Sequence, residues 1–190
     1  MLSKKYDSKL AGEPTIAAAF EKAKPGKMVS AGGQWYWIAE DKKELIKNSD
    51  FEFLTIDSNG EPWESFVSYN KGNGEWKANA ENITKELGNM GDMIPELERI
   101  EKRFLEDQQV INSVEALPKF QELQKKAPHI KLTRLQFSVF DVDLEKPVWR
   151  AEFKNWPLIS YLKRREITKT VNIIIDAIEG KIISFKESDE

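Results

Sequence analysis

Four sets of residues in this 190-residue chain have types and spacings that could do chemistry. Asp176 stands in "VNIIIDAIEGKIISF", between two apolar runs, with Glu179, Gly180 and Lys181 close behind it. A carboxylate so placed could act as a general acid or base. Asp141, Asp143 and Glu145 alternate, so on one strand they would share a face and could hold a hard cation. His129 is the sole histidine, and any Ser-His-Asp set would have to use it. The segment "NWPLISYLKRRE" sets Trp156, Leu158 and Tyr161 beside Lys163, Arg164 and Arg165. Aromatic and guanidinium groups of this kind dominate binding energy at protein interfaces.

Each set also has a plainer reading. Val171, Ile173 and Ile175 alternate along one run, and Ile182, Ile183 and Phe185 resume after a short link ending in Gly180. That is a β-hairpin pattern, with Asp176 accepting hydrogen bonds from turn N–H groups and Gly180 free to take positive φ. The acidic triplet lacks the glycine of a calcium loop and reads as a solvated strand end. His129 follows Pro128 at a helix-to-strand junction, and no Gly-x-Ser-x-Gly elbow accompanies it. No phosphate-binding glycine pattern occurs, and one histidine without cysteine is a poor zinc set. The expectation is no catalytic, cofactor-binding or metal-binding residues and no enzyme activity. For the segment 156–165 two readings stay open: a recognition loop, or a short amphipathic helix folded back on a sheet with its basic run in water. The six tryptophans are read as mainly core, with any exposed ones contributing to a partner surface.

Composition narrows the classes further. Apolar residues make up 40% of the chain and charged ones 32%, enough for a core and a soluble surface. A net charge of −3 argues against nucleic-acid binding, which needs a concentrated basic face. No apolar run approaches the roughly 20 residues of a membrane span. The start, "MLSKKYDSKLAGEP", is polar and has no export signal.

The elements that would position these residues read as an internal repeat. "FLTIDSNGEPWESF" follows the same order as the Asp176 hairpin, with Asp57 and Gly60 in the turn. Upstream, "WIAEDK" at 37–42 answers "WRAEFK" at 149–154. Helical segments are expected at 14–24 and 114–127, the second starting late because of Pro118. Between the halves, Ile94, Leu97, Ile100 and Phe104 form one apolar stripe behind a capping Asp92. The predicted fold class is α+β: two tandem helix-plus-antiparallel-sheet modules joined by a helical linker. The boundaries are a disordered 1–12, a first module at 13–77, a linker at 78–111 and a second module at 112–187.

"PVWRAEFKN" followed by "VNIIIDAIEGKIISF" resembles the end of a PepSY domain, with Glu179-Gly180 where that family more often has Thr-Gly. The resemblance covers 114–187 well and 14–69 less closely. It implies a cystatin-like helix on a small antiparallel sheet, and a non-catalytic module that binds or restrains peptidases outside the cytoplasm. The functional expectation is a protein-binding module that regulates or accompanies an extracytoplasmic peptidase or cell-envelope process. Its partner would be another protein, its contact residues those of the 156–165 segment, and its export signal or anchor would lie outside this sequence. A cytosolic adaptor or immunity-type protein, or a small-ligand carrier with an enclosed apolar pocket, are the rival readings.

Overall fold

A computed structural model describes residues 14–35, 48–101, 106–128, 130–155 and 169–189. Helix α1 (Ile16–Phe20) precedes a meander of β1 (Lys27–Gln34), β2 (Asn48–Ile56), β3 (Pro62–Asn70) and β4 (Glu75–Asn82). A short helix α2 (Thr84–Leu87) and a 3-10 turn (Gly91–Met93) lead into α3 (Ile94–Glu101), α4 (Asp107–Glu115) and α5 (Pro118–Lys126). A second meander follows: β5 (Ile130–Asp141), β6 (Lys146–Asn155), β7 (Lys169–Asp176) and β8 (Ile182–Asp189).

The expected two-module α+β arrangement with its cystatin-like halves is corrected here. All eight strands form one antiparallel sheet in the order β4-β3-β2-β1-β5-β6-β7-β8. The join is β1 against β5, from Ser30 opposite Ser138 to Gln34 opposite Arg134. Each meander alone would expose the N–H and C=O groups of its first strand, and the pairing removes both of those edges at once. "KMVSAGGQ" is a poor strand by propensity, since glycine and alanine pack little, yet it is held from both sides. The expected helical linker also shrinks, because residues 75–82 are a strand. "EWKANAEN" alternates Trp76, Ala78 and Ala80 with polar residues, but two of the three are alanines and the strand lies almost wholly exposed at the sheet edge. Its pairing with β3 and the packing of Trp76 on Phe51 and Tyr69 hold it.

The repeat is out of step as well. Asp57 follows the second strand of its meander, whereas Asp176 follows the third. "WRAEFK" lies on β6, while "WIAEDK" lies outside the described residues. The two turns are alike because both solve the same local problem, not because they occupy matching places.

One face of the sheet carries the core. Alternate residues Ala31, Phe51, Phe53, Val67, Leu135, Phe137, Trp149, Phe153, Val171 and Ile173 are buried on it. The helices cover them with Ile16 and Ala19, Leu97 and Ile100, Val110 and Val114, and Phe120 and Leu123. Pro118 opens α5 at its first position, where its missing N–H is no loss. Trp35 is buried too, donating its indole N–H to the Pro14 carbonyl and meeting Phe51 edge-on.

Asp107 ties the first helix to this layer across 91 positions of sequence. Its Oδ2 accepts from the Ile16 N–H at 3.1 Å, and its Oδ1 accepts from the Gln108 N–H at 2.9 Å. Burial pushes the Asp107 carboxyl above its ordinary range, against the pull of the Gln108, Ile16 and Ala17 N–H groups. The neutral acid is therefore favoured by the fold, and its contribution is complete below the unfolded value and lost as pH rises through the folded one. Asp107→Asn should gain stability relative to wild type as pH rises from about 4 to 7. Urea midpoints of both proteins at several pH values check this, and a constant difference would count against it.

Candidate functional site

The other face of the sheet is mostly polar among the described residues, although Val148 and Asp176 on it are buried. Directly paired residues of antiparallel strands share a face, so the register lays out the surface in rows. One row crosses all eight strands: Lys77, Ser68, Asp50, Gln34, Arg134, Glu152, Asn172 and Lys186. The next runs Asn79, Phe66, Glu52, Gly32, Gln136, Arg150, Ile174 and Ser184. A third crosses seven strands as Glu81, Glu64, Leu54, Ser30, Ser138, Val148 and Asp176.

Charge is divided along this face. The β1–β4 half of the three rows carries Asp50, Glu52, Glu64 and Glu81 against Lys77. The β5–β8 half carries Arg134, Arg150 and Lys186, with Lys154 beyond the rows, against Glu152 and Asp176. Asp176 is matched by Lys146 at 2.6 Å, and Asp141, at the strand end, by Arg150 at 2.6 Å. On the acidic side, partial burial together with Glu52 and Glu81 pushes the Glu64 carboxyl up. Phe66 stands 49% exposed between the acids.

Gly32 makes the lowest point of the face. A groove of about 270 Å³ runs along the β1–β5 seam, lined by Ser30, Gly32, Glu52, Gln136, Ser138 and Arg150 among others. A second of about 330 Å³ lies between Arg134, Arg150, Glu152, Asn172 and Lys186. Both are open, with polar and apolar walls in similar measure, unlike the enclosed apolar cavity that a small-ligand carrier requires.

The residues singled out in the sequence fall elsewhere. Asp176 forms its turn: its Oδ1 accepts from the N–H groups of Ile178 and Glu179 at 2.9 and 2.8 Å. Partial burial works against its ionisation, but Lys146 and these donors outweigh it and hold the carboxyl below its ordinary range. Asp57 does likewise, accepting from Asn59, Glu61 and the Trp63 indole. Asp141 ends β5, while Asp143 and Glu145 lie in the following turn, so the three do not share a strand face. The Asp141 carboxylate is taken by the Arg150 guanidinium and the Asp143 N–H. Among the described residues no group of three or more acids or histidines is placed to hold a metal ion. His129 and the segment with Trp156, Leu158, Tyr161, Lys163, Arg164 and Arg165 lie outside the described residues. Sequence reasoning passed over Asp50, Glu52, Arg134 and Arg150. Their signal was the polar half of the alternation in "DFEFL", "RLQFS" and "WRAEF", which becomes a surface only once the register is known.

The molecule is thus a single antiparallel sheet with one helix-covered face and one polar, charge-divided face. No helix among the described residues is long and apolar enough to cross a membrane. No family model and no curated protein matches the chain. Among solved structures, a crystal structure described as a "putative lipoprotein" from Clostridium difficile 630 is similar at a TM-score of 0.42. The two are 9% identical over 89% of this chain and 85% of that one.

Proposed function

We propose that the chain is a non-catalytic protein-binding module whose recognition surface is the polar face of the sheet. The observation that carries this is the partition of charge across rows that run through the whole sheet. A merely solvated face needs polar residues but no such separation of sign. Separated charge steers a partner and fixes its orientation. Phe66 and the Gly32 groove add an apolar anchor and a recess, the features around which binding energy concentrates. The PepSY resemblance of 114–187 directs the choice of partner towards peptidases and envelope proteins outside the cytoplasm.

Gly32→Tyr tests the surface with little risk to the fold. A Cβ there meets nothing nearer than Gln136 at 3.8 Å, so a ring rises from the middle of the face without disturbing the backbone. Capture from cells of the source organism should retrieve a defined partner with wild type and lose it with Gly32→Tyr. Equal retrieval by both would remove the polar face from consideration.

A further inference from the structure

We propose that the groove on the β5–β8 half of the polar face receives an acidic peptide segment of the partner, one carboxylate meeting Arg134 and a second meeting Lys186. The inference rests on that face being a binding surface and names the chemistry of what enters it.

The groove of about 330 Å³ is lined by Arg134, Arg150, Asn172, Ser184 and Lys186, with Glu152 the acid among them. These charges are not equally available. Arg150 is taken: its Nε and Nη2 donate to Asp141 at 3.0 and 2.6 Å. Glu152 accepts from the Thr133 hydroxyl at 2.9 Å and lies 3.6 Å from the Lys154 ammonium. Arg134 and Lys186 are exposed and have no carboxylate partner among the described residues. Two cations therefore face the groove with their charge unmatched, while the acid between them already has a lysine beside it. Arg134 is also held in place. With the Gln136 amide oxygen turned toward it, its Nη2 donates at 2.8 Å. A guanidinium positioned before binding loses less freedom when a carboxylate arrives.

Spacing and sign select the occupant. Arg134, Glu152, Asn172 and Lys186 lie opposite one another in one row across β5 to β8. The outer two are three strand spacings apart, about 14 Å. That separation exceeds the span of a single phosphate or carboxylate, whereas residues four apart in an extended chain lie about 14 Å from each other. Glu152 stands between the cations and repels a continuous run of negative charge, such as a polyphosphate or a nucleic-acid backbone. The stretch joining the two acids must therefore be neutral. Its N–H groups can donate to Glu152, and its carbonyls can accept from the Asn172 amide and the Ser184 hydroxyl.

An NMR titration of the whole chain at low salt decides the matter. The probe is a capped peptide, Ser-Glu-Gly-Ser-Gly-Glu-Ser, whose two carboxylates are four residues apart. It should shift the amide signals of β5 to β8 and bind with a dissociation constant of about 1 mM or tighter. Arg134→Glu and Lys186→Glu should each weaken it about tenfold or more, since each reverses one charge contact at an exposed position. A peptide of the same composition with its glutamates adjacent, and inorganic phosphate, should each bind at least about fivefold more weakly than the spaced peptide, having only one cation within reach. Equal binding of either one overturns the proposal, because general attraction to positive charge then suffices. An affinity indifferent to both variants overturns it as well, and so does no binding at about 5 mM. Partner capture with Arg134→Glu and Lys186→Glu combined separates this inference from the one beneath it. A partner lost with Gly32→Tyr but kept by that double variant removes the acidic segment and leaves the face as the binding surface. The expected peptide behaviour in a chain whose capture ignores Gly32→Tyr supports the groove and removes the broader face.

Discussion

Trp149→Ala should lower the free energy of unfolding by about 3–5 kcal/mol, the usual cost of emptying a large buried aromatic site. Trp149 is 2% exposed on β6, in the middle of the second meander. It packs on Phe137 across the β5–β6 pair at 5.2 Å and lies opposite Ile175 on β7. Its loss leaves a void under three strands, which the rigid pairing on both sides prevents from closing. Trp63→Ala is the internal control. Trp63 is half-exposed and its indole N–H caps Asp57 at 3.1 Å, so its removal should cost about 1 kcal/mol, the scale of one hydrogen bond. Urea unfolding of both variants gives the comparison, and equal losses would mean that the core is not centred where the register puts it.

Gly60→Ala should also be severe, at roughly 2–4 kcal/mol, from a left-handed backbone and an overpacked contact together. Gly60 has φ +79°, and a Cβ there would lie 2.6 Å from Gly91 Cα, 2.7 Å from Gly91 N and against Asn89 Oδ1. The neighbours cannot retreat cheaply. The Met90 N–H donates to the Gly60 carbonyl at 2.7 Å, and the Asn89 amide donates to the Asn59 carbonyl at 2.8 Å. These bonds dock the β2–β3 turn on the segment that leads into α3. Gly88→Ala separates the two causes. Gly88 has φ +76° but nothing within 4 Å of the added carbon, so it should lose only the backbone share, about 1 kcal/mol. Thermal or urea midpoints that fall equally for both would show that the docking contact contributes nothing.

Local chemistry was legible in the sequence where it is local. Asp57 and Asp176 make their turns, Pro118 starts α5, and Leu97 and Ile100 face the core, because caps, turns and apolar stripes are set within a few residues. What decides the architecture lies in pairing across distance. Ala31-Gly32-Gly33 carries no strand signal of its own, yet it joins the two meanders. "EWKANAEN" reads as turn and linker, because its alternation of Trp76, Ala78 and Ala80 rests mostly on alanines, which carry little strand signal. The polar face follows from both of these. Its charges sit on seven strands, and no window of residues contains the pattern.

Recognition through the polar sheet face is measured by the affinity of the captured partner. Titration calorimetry would compare wild type with Gly32→Tyr, whose added Cβ meets nothing nearer than Gln136 at 3.8 Å. The dissociation constant should be at least about tenfold weaker for the variant, the scale of keeping one well-packed group out of its recess. An unchanged constant would contradict this by placing recognition elsewhere on the molecule.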